Sequence, residues 1–409
     1  MNILLLGNGF DLYHKLPTRY DNFLHVVDFL NKYYTPVMKT IADIFCDSRL
    51  QKEDAFISKC YNAHKAVYET ITIDGSAVEQ LCNLSKDNLW LQYLLKVYDK
   101  KAGWIDFEKE IAYVLNTFDI FLKQIDVAIK FHKLTPSQQY IIKSFDFFSK
   151  YFESGIINGP TRKVIDEYIL EYPAGSSVKI VNKEKIIQKL YEELNRFAKL
   201  LKTYLLMFVE ASLLDIKENS LNRCPALSYI DKAITFNYTN SYETFYFSNP
   251  IFHIHGTVDK TIILGINPDN SDSLEKIDTS FVKFKKYFQR AQYDTDRDYI
   301  DWIQALNEPS ETISLLVMGH SLDTTDKDII VELFRKMNEI CILYHNDEAK
   351  STYISNLIKM FGKEEFERFR KKQKLTFLSL DMDFTSFIEK RKENANGAFL
   401  RKILPAIIS

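Results

Sequence analysis

Four short segments hold the residue types from which a reaction site could be built. Gly7-Asn8-Gly9-Phe10-Asp11 follows the apolar run Ile3–Leu6. It approaches the G-x-G-x-x-G dinucleotide fingerprint, but Leu12 stands where the third glycine would be, so as a dehydrogenase motif it is weak. Consecutive backbone N–H groups in such a loop still suit a pyrophosphate. Thr235-Phe236-Asn237-Tyr238-Thr239 sets an amide just past another apolar run. Asn237 there could bond a ribose hydroxyl, hold a water, or cap the next turn. His253-Ile254-His255-Gly256 admits two readings. Strand alternation points both rings the same way, as metal ligands would be. Alternatively one histidine, with a pKa near neutral, works as a general base beside a packed one. No C-x-x-C, H-E-x-x-H or evident third ligand accompanies them, so no metal is expected. Gly319-His320-Ser321-Leu322-Asp323 follows Leu315–Met318, where a Gly-x-Ser turn could contact a nucleotide. Asp323 or Thr325 could equally cap the helix that begins near Asp326, and the aspartates here, Asp323, Asp326 and Asp328, are read as caps.

The elements that must position these segments can be read from the same pattern. Asn2–Leu6, Ala233–Phe236, Ile251–Ile254, Ile262–Leu264, Ser314–Met318, Ile340–Tyr344 and Leu375–Leu380 are strand candidates. Helix candidates near Ser280–Gln292, Asp326–Met337, Ser351–Phe361 and Phe384–Lys390 alternate with the later strands, which indicates βα units on a parallel sheet. Another helix should start near Thr18, after Pro17. From about residue 30 to 229 the pattern is nearly all helical. Ile187, Leu190, Leu194, Phe197, Leu201, Tyr204 and Phe208 fall on one stripe, read as helix packing. A loop region is expected over Glu153–Pro173. The division that follows is 1–30 plus 230–409 as one discontinuous α/β domain and 31–229 as a helical insertion domain. Five of the twelve glycines, Gly7, Gly9, Gly256, Gly265 and Gly319, lie at or near strand ends, where open α/β sheets bind ligands.

Composition narrows the class. Gly and Pro number 12 and 10 in 409 residues, about 5% against a usual share of about 12%, which argues against collagenous, disordered and turn-rich all-β chains. With 46% apolar residues, 30 Phe and 24 Tyr, a sizeable core is affordable. A net charge of −2 supplies no global field for nucleic acid, and runs such as Lys283–Tyr287 and Arg368–Lys372 read as solvated helix faces. Five cysteines without paired spacing fit a reducing cytoplasm. The opening apolar run is too short for a signal peptide, and no stretch reaches the roughly 20 residues of a membrane span.

The opening strand and Gly7-Asn8-Gly9-Phe10-Asp11, with Leu16-Pro17-Thr18, resemble the start of AbiH proteins, the bacteriophage abortive-infection family. Asn237-Tyr238, His255-Gly256 and Gly319-His320-Ser321-Leu322 resemble the same family in the same order, and are similar to the wider sirtuin-like superfamily of NAD-binding domains. Trp104-Ile105-Asp106-Phe107-Glu108 looks like a tryptophan–acid motif in the helical part of that family; its other reading is an amphipathic helix with Trp104 in the core. The resemblance implies an α/β fold: a sirtuin-like, Rossmann-type parallel sheet carrying a large all-helical insertion. It implies Gly7, Asn8, Gly9, Phe10 and Asp11 at the phosphates, Pro17 at the nicotinamide end, and Gly319, His320 and Ser321 at the adenosine-side ribose and phosphate. Asn237 would position ribose or water, and His255 would be catalytic. Gly-Asn-Gly replaces the familiar Gly-Ala-Gly, and Asp11 would repel a pyrophosphate unless it bonds a ribose hydroxyl.

The expected function is NAD hydrolysis at the nicotinamide–ribose bond in phage defence, with NAD as substrate and no metal. The missing cysteine module argues against peptide deacetylation. Two alternatives stay open: a non-catalytic nucleotide-binding sensor or scaffold, and a metal-dependent nuclease using His253 and His255. Restraint of a toxic activity is expected from the helical insertion or from homo-oligomer formation, with a phage-derived trigger as a further partner. Neither nucleic acid nor membrane is expected as a partner.

Overall fold

The computed structural model describes residues 1–98, 106–122, 133–145, 147, 169–170, 180–224, 227, 230–246, 251–266, 279–295, 297–306 and 313–380. Among the described residues, six strands form one parallel sheet: β1 (Asn2–Leu6), β2 (Lys232–Thr235), β3 (Ile251–His253), β4 (Ser314–Met318), β5 (Glu339–Tyr344) and β6 (Leu375–Ser379). Their order across the sheet is β3-β2-β1-β4-β5-β6. β1 is central, with Leu4 beside Ala233 on one flank and Leu316 on the other. The strand order reverses between β1 and β4, which makes the crevice outside their carboxyl ends the expected ligand position.

Continuous apolar strands need cover on both faces, and both are covered. Ile3, Leu5, Ile234, Leu315, Val317, Ile340 and Ile342 share one core with residues of the helices Arg297–Ala305, Lys327–Lys336 and Asp347–Lys371. The alternate residues Leu4, Leu6, Ala233, Leu316, Met318 and Leu343 share the other core with Phe23, Phe107, Phe197 and Tyr204 of the helical region. The longest helix among the described residues there, Lys183–Phe208, starts where the Asn182 side chain accepts the Lys185 N–H, and it buries the whole expected stripe. Among the described residues, no helix is long and apolar enough to cross a membrane.

Several expectations need correction. Ile262–Leu264 is buried but is no strand; Ile262 makes an isolated antiparallel bridge to Gly256. The helix expected at Ser280–Gln292 is a 3-10 turn, Thr279–Phe284, followed by a separate helix, Lys286–Gln292. The helix after Pro17 begins at Tyr20, where the Arg19 N–H is capped by the Asn22 side chain, and a short helix Gly9–Tyr13 precedes it. Ile169–Leu170 pairs with Ile180–Val181 inside or beside the expected loop region. The rest of Glu153–Pro173, Trp104-Ile105 and the candidate helix Phe384–Lys390 lie outside the described residues.

Candidate active site

The loops after β1 and β4 close on one another at the sheet's carboxyl edge. Gly7 N–H donates to the Met318 carbonyl (3.2 Å), Gly9 N–H to the Gly319 carbonyl (2.8 Å), and Phe10 N–H to Gly7 (2.9 Å). A Cβ on Gly9 would lie 2.6 Å from Gly319 Cα, and one on Gly319 would lie 2.2 Å from the Phe10 nitrogen. These glycines therefore allow backbone to meet backbone, and three of the loop's N–H groups are engaged within the protein. Asn8 is exposed and holds the next segment, accepting from Thr18 Oγ1 (2.6 Å) and donating to the Thr18 carbonyl (3.1 Å). Pro17 is buried and its carbonyl accepts from the Tyr204 hydroxyl (2.7 Å). Phe10 turns into the core against His14, Tyr242 and Tyr246. Ser321 is exposed.

Asp11 is buried behind this loop. It accepts from the hydroxyls of Thr239 (2.8 Å) and Ser241, and the nearby Asn237 side chain also favours its charged form. Burial raises its pKa to about 6 although these bonds oppose the rise. Asn237 is thus brought to the end of β2 beside Asp11, and its carbonyl faces His253 Nδ1 at 3.2 Å. His253 Nε2 is taken by Glu243.

His255 and His320 flank Phe236, with ring centroids 5.2 and 4.3 Å away. The His320 Nδ1 accepts the Leu322 N–H (2.9 Å), so the loop itself orients this ring. His255 Nε2 lies 3.2 Å from Asp326 Oδ1, in ion-pair range but off the line of a hydrogen bond. Asp326 Oδ2 lies 3.6 Å from His320 Nε2. Asp326 Oδ1 also receives Lys286 Nζ (2.9 Å), whose other carboxylate partner is Glu108 Oε1 (2.7 Å). Burial, with the Lys286 ammonium nearby, lowers the His255 pKa to about 4 against the pull of Asp326, so the imidazole is neutral near pH 7. Burial pushes Asp326 up, but Lys286 and His255 outweigh it and hold the carboxyl well below its usual range. Glu108 rises to about 7, because burial and Asp326 outweigh Lys286.

Two expectations are overturned here. Asp326 stands at the start of the helix Lys327–Lys336, but its side chain makes no capping bond and turns to His255 and Lys286 instead; Asp323 caps the preceding turn. Lys286 is not on a solvated face but is 0% exposed. Sequence reasoning thus missed Glu108, Lys286 and Asp326 as one cluster. The available signal was the acidic pair in Asp106-Phe107-Glu108 and the acid at Asp326 beside the Gly-His-Ser turn. Among the described residues, no group of three or more His, Cys, Asp and Glu is arranged to hold a metal ion.

A family model, Bacteriophage abortive infection AbiH, matches residues 3–345. The chain belongs to the AbiH family. Neither the curated proteins nor the solved structures contain a match. In this AbiH chain the matched span covers all four strand-end segments and the Glu108–Lys286–Asp326 cluster.

Proposed function

We propose that this AbiH chain acts in bacteriophage abortive infection by hydrolysing NAD at the nicotinamide–ribose bond. The observation that carries the reading is a neutral imidazole, His255, just past the carboxyl end of β3, facing the carboxylate of Asp326 from the turn after β4, with Asn237 just past the end of the intervening β2. The strand order supports it, because β3-β2-β1-β4-β5-β6 is the order of Rossmann-type dinucleotide-binding sheets. As the C1′–N bond breaks, its electron pair passes to the pyridinium nitrogen and neutral nicotinamide leaves. A water oxygen bonds C1′ through an oxocarbenium-like transition state, and its proton passes to His255 and then to solvent. Asp326 stabilises the imidazolium as it forms. Asn237 orients the ribose or the water. The exposed Asn8 and Ser321 are assigned to the dinucleotide, NAD being substrate and the cytoplasm the place of reaction.

The test is nicotinamide release from NAD by the purified full chain, with and without lysate of phage-infected cells. His255→Ala should lose about 10²-fold or more, and Asn237→Ala should also fall. Activity that survives both substitutions would remove this site. A second reading, nucleotide binding without cleavage, is favoured by the low basicity of His255. Calorimetric binding of NAD or ADP-ribose with NAD left intact under both conditions would select it.

A further inference from the structure

The cluster behind His255 is built from distant parts of the chain. Glu108 comes from the helix Phe107–Leu122 in the helical region, Lys286 from the start of its own helix, and Asp326 from the turn after β4. Lys286 is fully buried, and two carboxylates share its one ammonium. Apolar residues of similar volume are often as stable as a buried ionic triad or more so, so a buried triad is weak evidence of a purely stabilising role. The helix Lys286–Gln292 buries Lys286, Gln289 and Arg290 and leaves Tyr287 exposed, which reverses the usual amphipathic pattern. Gln289 braces Leu264 through both its amide ends, and Arg290 is fixed by Asp328 (2.6 Å). The helix is thus held on three sides with its first residue aimed at Asp326. Lys109 adds a second tie from the helical region, reaching Asp323 on the same turn (2.8 Å) as well as Asp106 (3.1 Å).

We propose that Lys286 and Glu108 are positioning residues: Glu108 fixes the Lys286 ammonium, and Lys286 holds the Asp326 carboxylate against His255. The inference deepens the reading of His255 as the proton acceptor and rests on it. The helical region then reaches the reacting histidine through three side chains. The titratable and charged groups facing this chain are Asp106, Tyr20 and Tyr238 at Glu108, Tyr238 at Lys286, His320, Tyr238 and Arg290 at Asp326, and Arg290 at His255.

The test follows the His255 imidazole by NMR pH titration in the full chain, with the signal assigned by its loss in His255→Ala. Removing the ammonium in Lys286→Met should raise the His255 pKa by about one unit or more, and Lys286→Arg should restore it. If Lys286→Met does not fold, Glu108→Gln/Lys286→Met replaces it, since it strands no unpaired partner of that bond. Glu108→Gln alone should lower the His255 pKa or leave it unmoved. An upward shift in Glu108→Gln, or the same titration in every variant, overturns the proposal. Where NAD is turned over, kcat should fall about tenfold or more in Lys286→Met with KM little changed. Should the shifts appear while NAD stays intact, the positioning chain stands and the hydrolase reading falls.

Discussion

Asp11 is an acid that the fold prefers to keep protonated. Its pKa of about 6 exceeds the ordinary carboxyl value, so the folded state binds the proton more tightly than the unfolded chain. Below about pH 4 both states hold the proton and stability is full; as pH rises through about 6 the folded state loses on the order of 3 kcal/mol. Asp11→Asn stays neutral, so wild-type stability relative to it should fall by roughly that amount between pH 4 and 7. Urea unfolding at a series of pH values checks this, and a flat difference would contradict it. The sequence marked Asp11 as notable but assigned it to a nucleotide. The short helix Gly9–Tyr13 turns it inward, onto Thr239 and Ser241 some 230 positions away, as the spacing of Asp11 and Ser241 shows. No local pattern announces such a partner. Lys286 misled for the same reason, since its acids lie on other elements.

At the scale of elements, the meeting of the β1 and β4 loops depends on bare backbone. Gly319 has φ +72° and no room for a Cβ, whereas Gly362, at φ +77° inside Asp347–Lys371, has nothing within 4 Å of the same atom. Gly362→Ala should cost on the order of 1–3 kcal/mol, because φ +77° with ψ 160° is backbone that essentially only glycine adopts. Gly319→Ala should cost clearly more, because it must also push the facing loops away from each other. Urea midpoints for the pair measure the difference, and equal losses would mean that the loops separate freely. The sheet strands were legible because strands buried on both faces read as unbroken apolar runs. Ile262–Leu264 has the same texture, but it is buried by packing and one bridge rather than by a ladder. The helix Lys286–Gln292 was half legible: a helix near Ser280–Gln292 followed from the alternation with the strands, but its polar stripe faces inward, and a pattern reading assumes the opposite. Asn237 and His255 were legible as candidates because each follows an apolar run directly. Their company was not, since Glu108 and Asp326 are brought in by tertiary packing.

At the scale of the molecule, one core joins the helical region to a sheet face, with Leu4, Leu6, Leu316 and Met318 packed in the same cluster as Phe107, Phe197 and Tyr204. Sheet and helical region should therefore unfold together. Far-UV circular dichroism and the fluorescence of Trp90, with the other two tryptophans replaced by Phe, should give coincident urea transitions. An early fluorescence change would show that the helical region opens on its own. The topology also governs how the protein is made. β1 takes its neighbours from Lys232–Thr235 and Ser314–Met318, so the central strand leaves the ribosome long before either flank exists. At about 5–20 residues per second, Ile3–Leu6 waits on the order of 15–60 s for β4. During that interval the nascent chain carries an apolar strand with open edges, while the helices behind it can already pack locally. Newly synthesised protein, rather than the finished fold, is the form most in need of a chaperone.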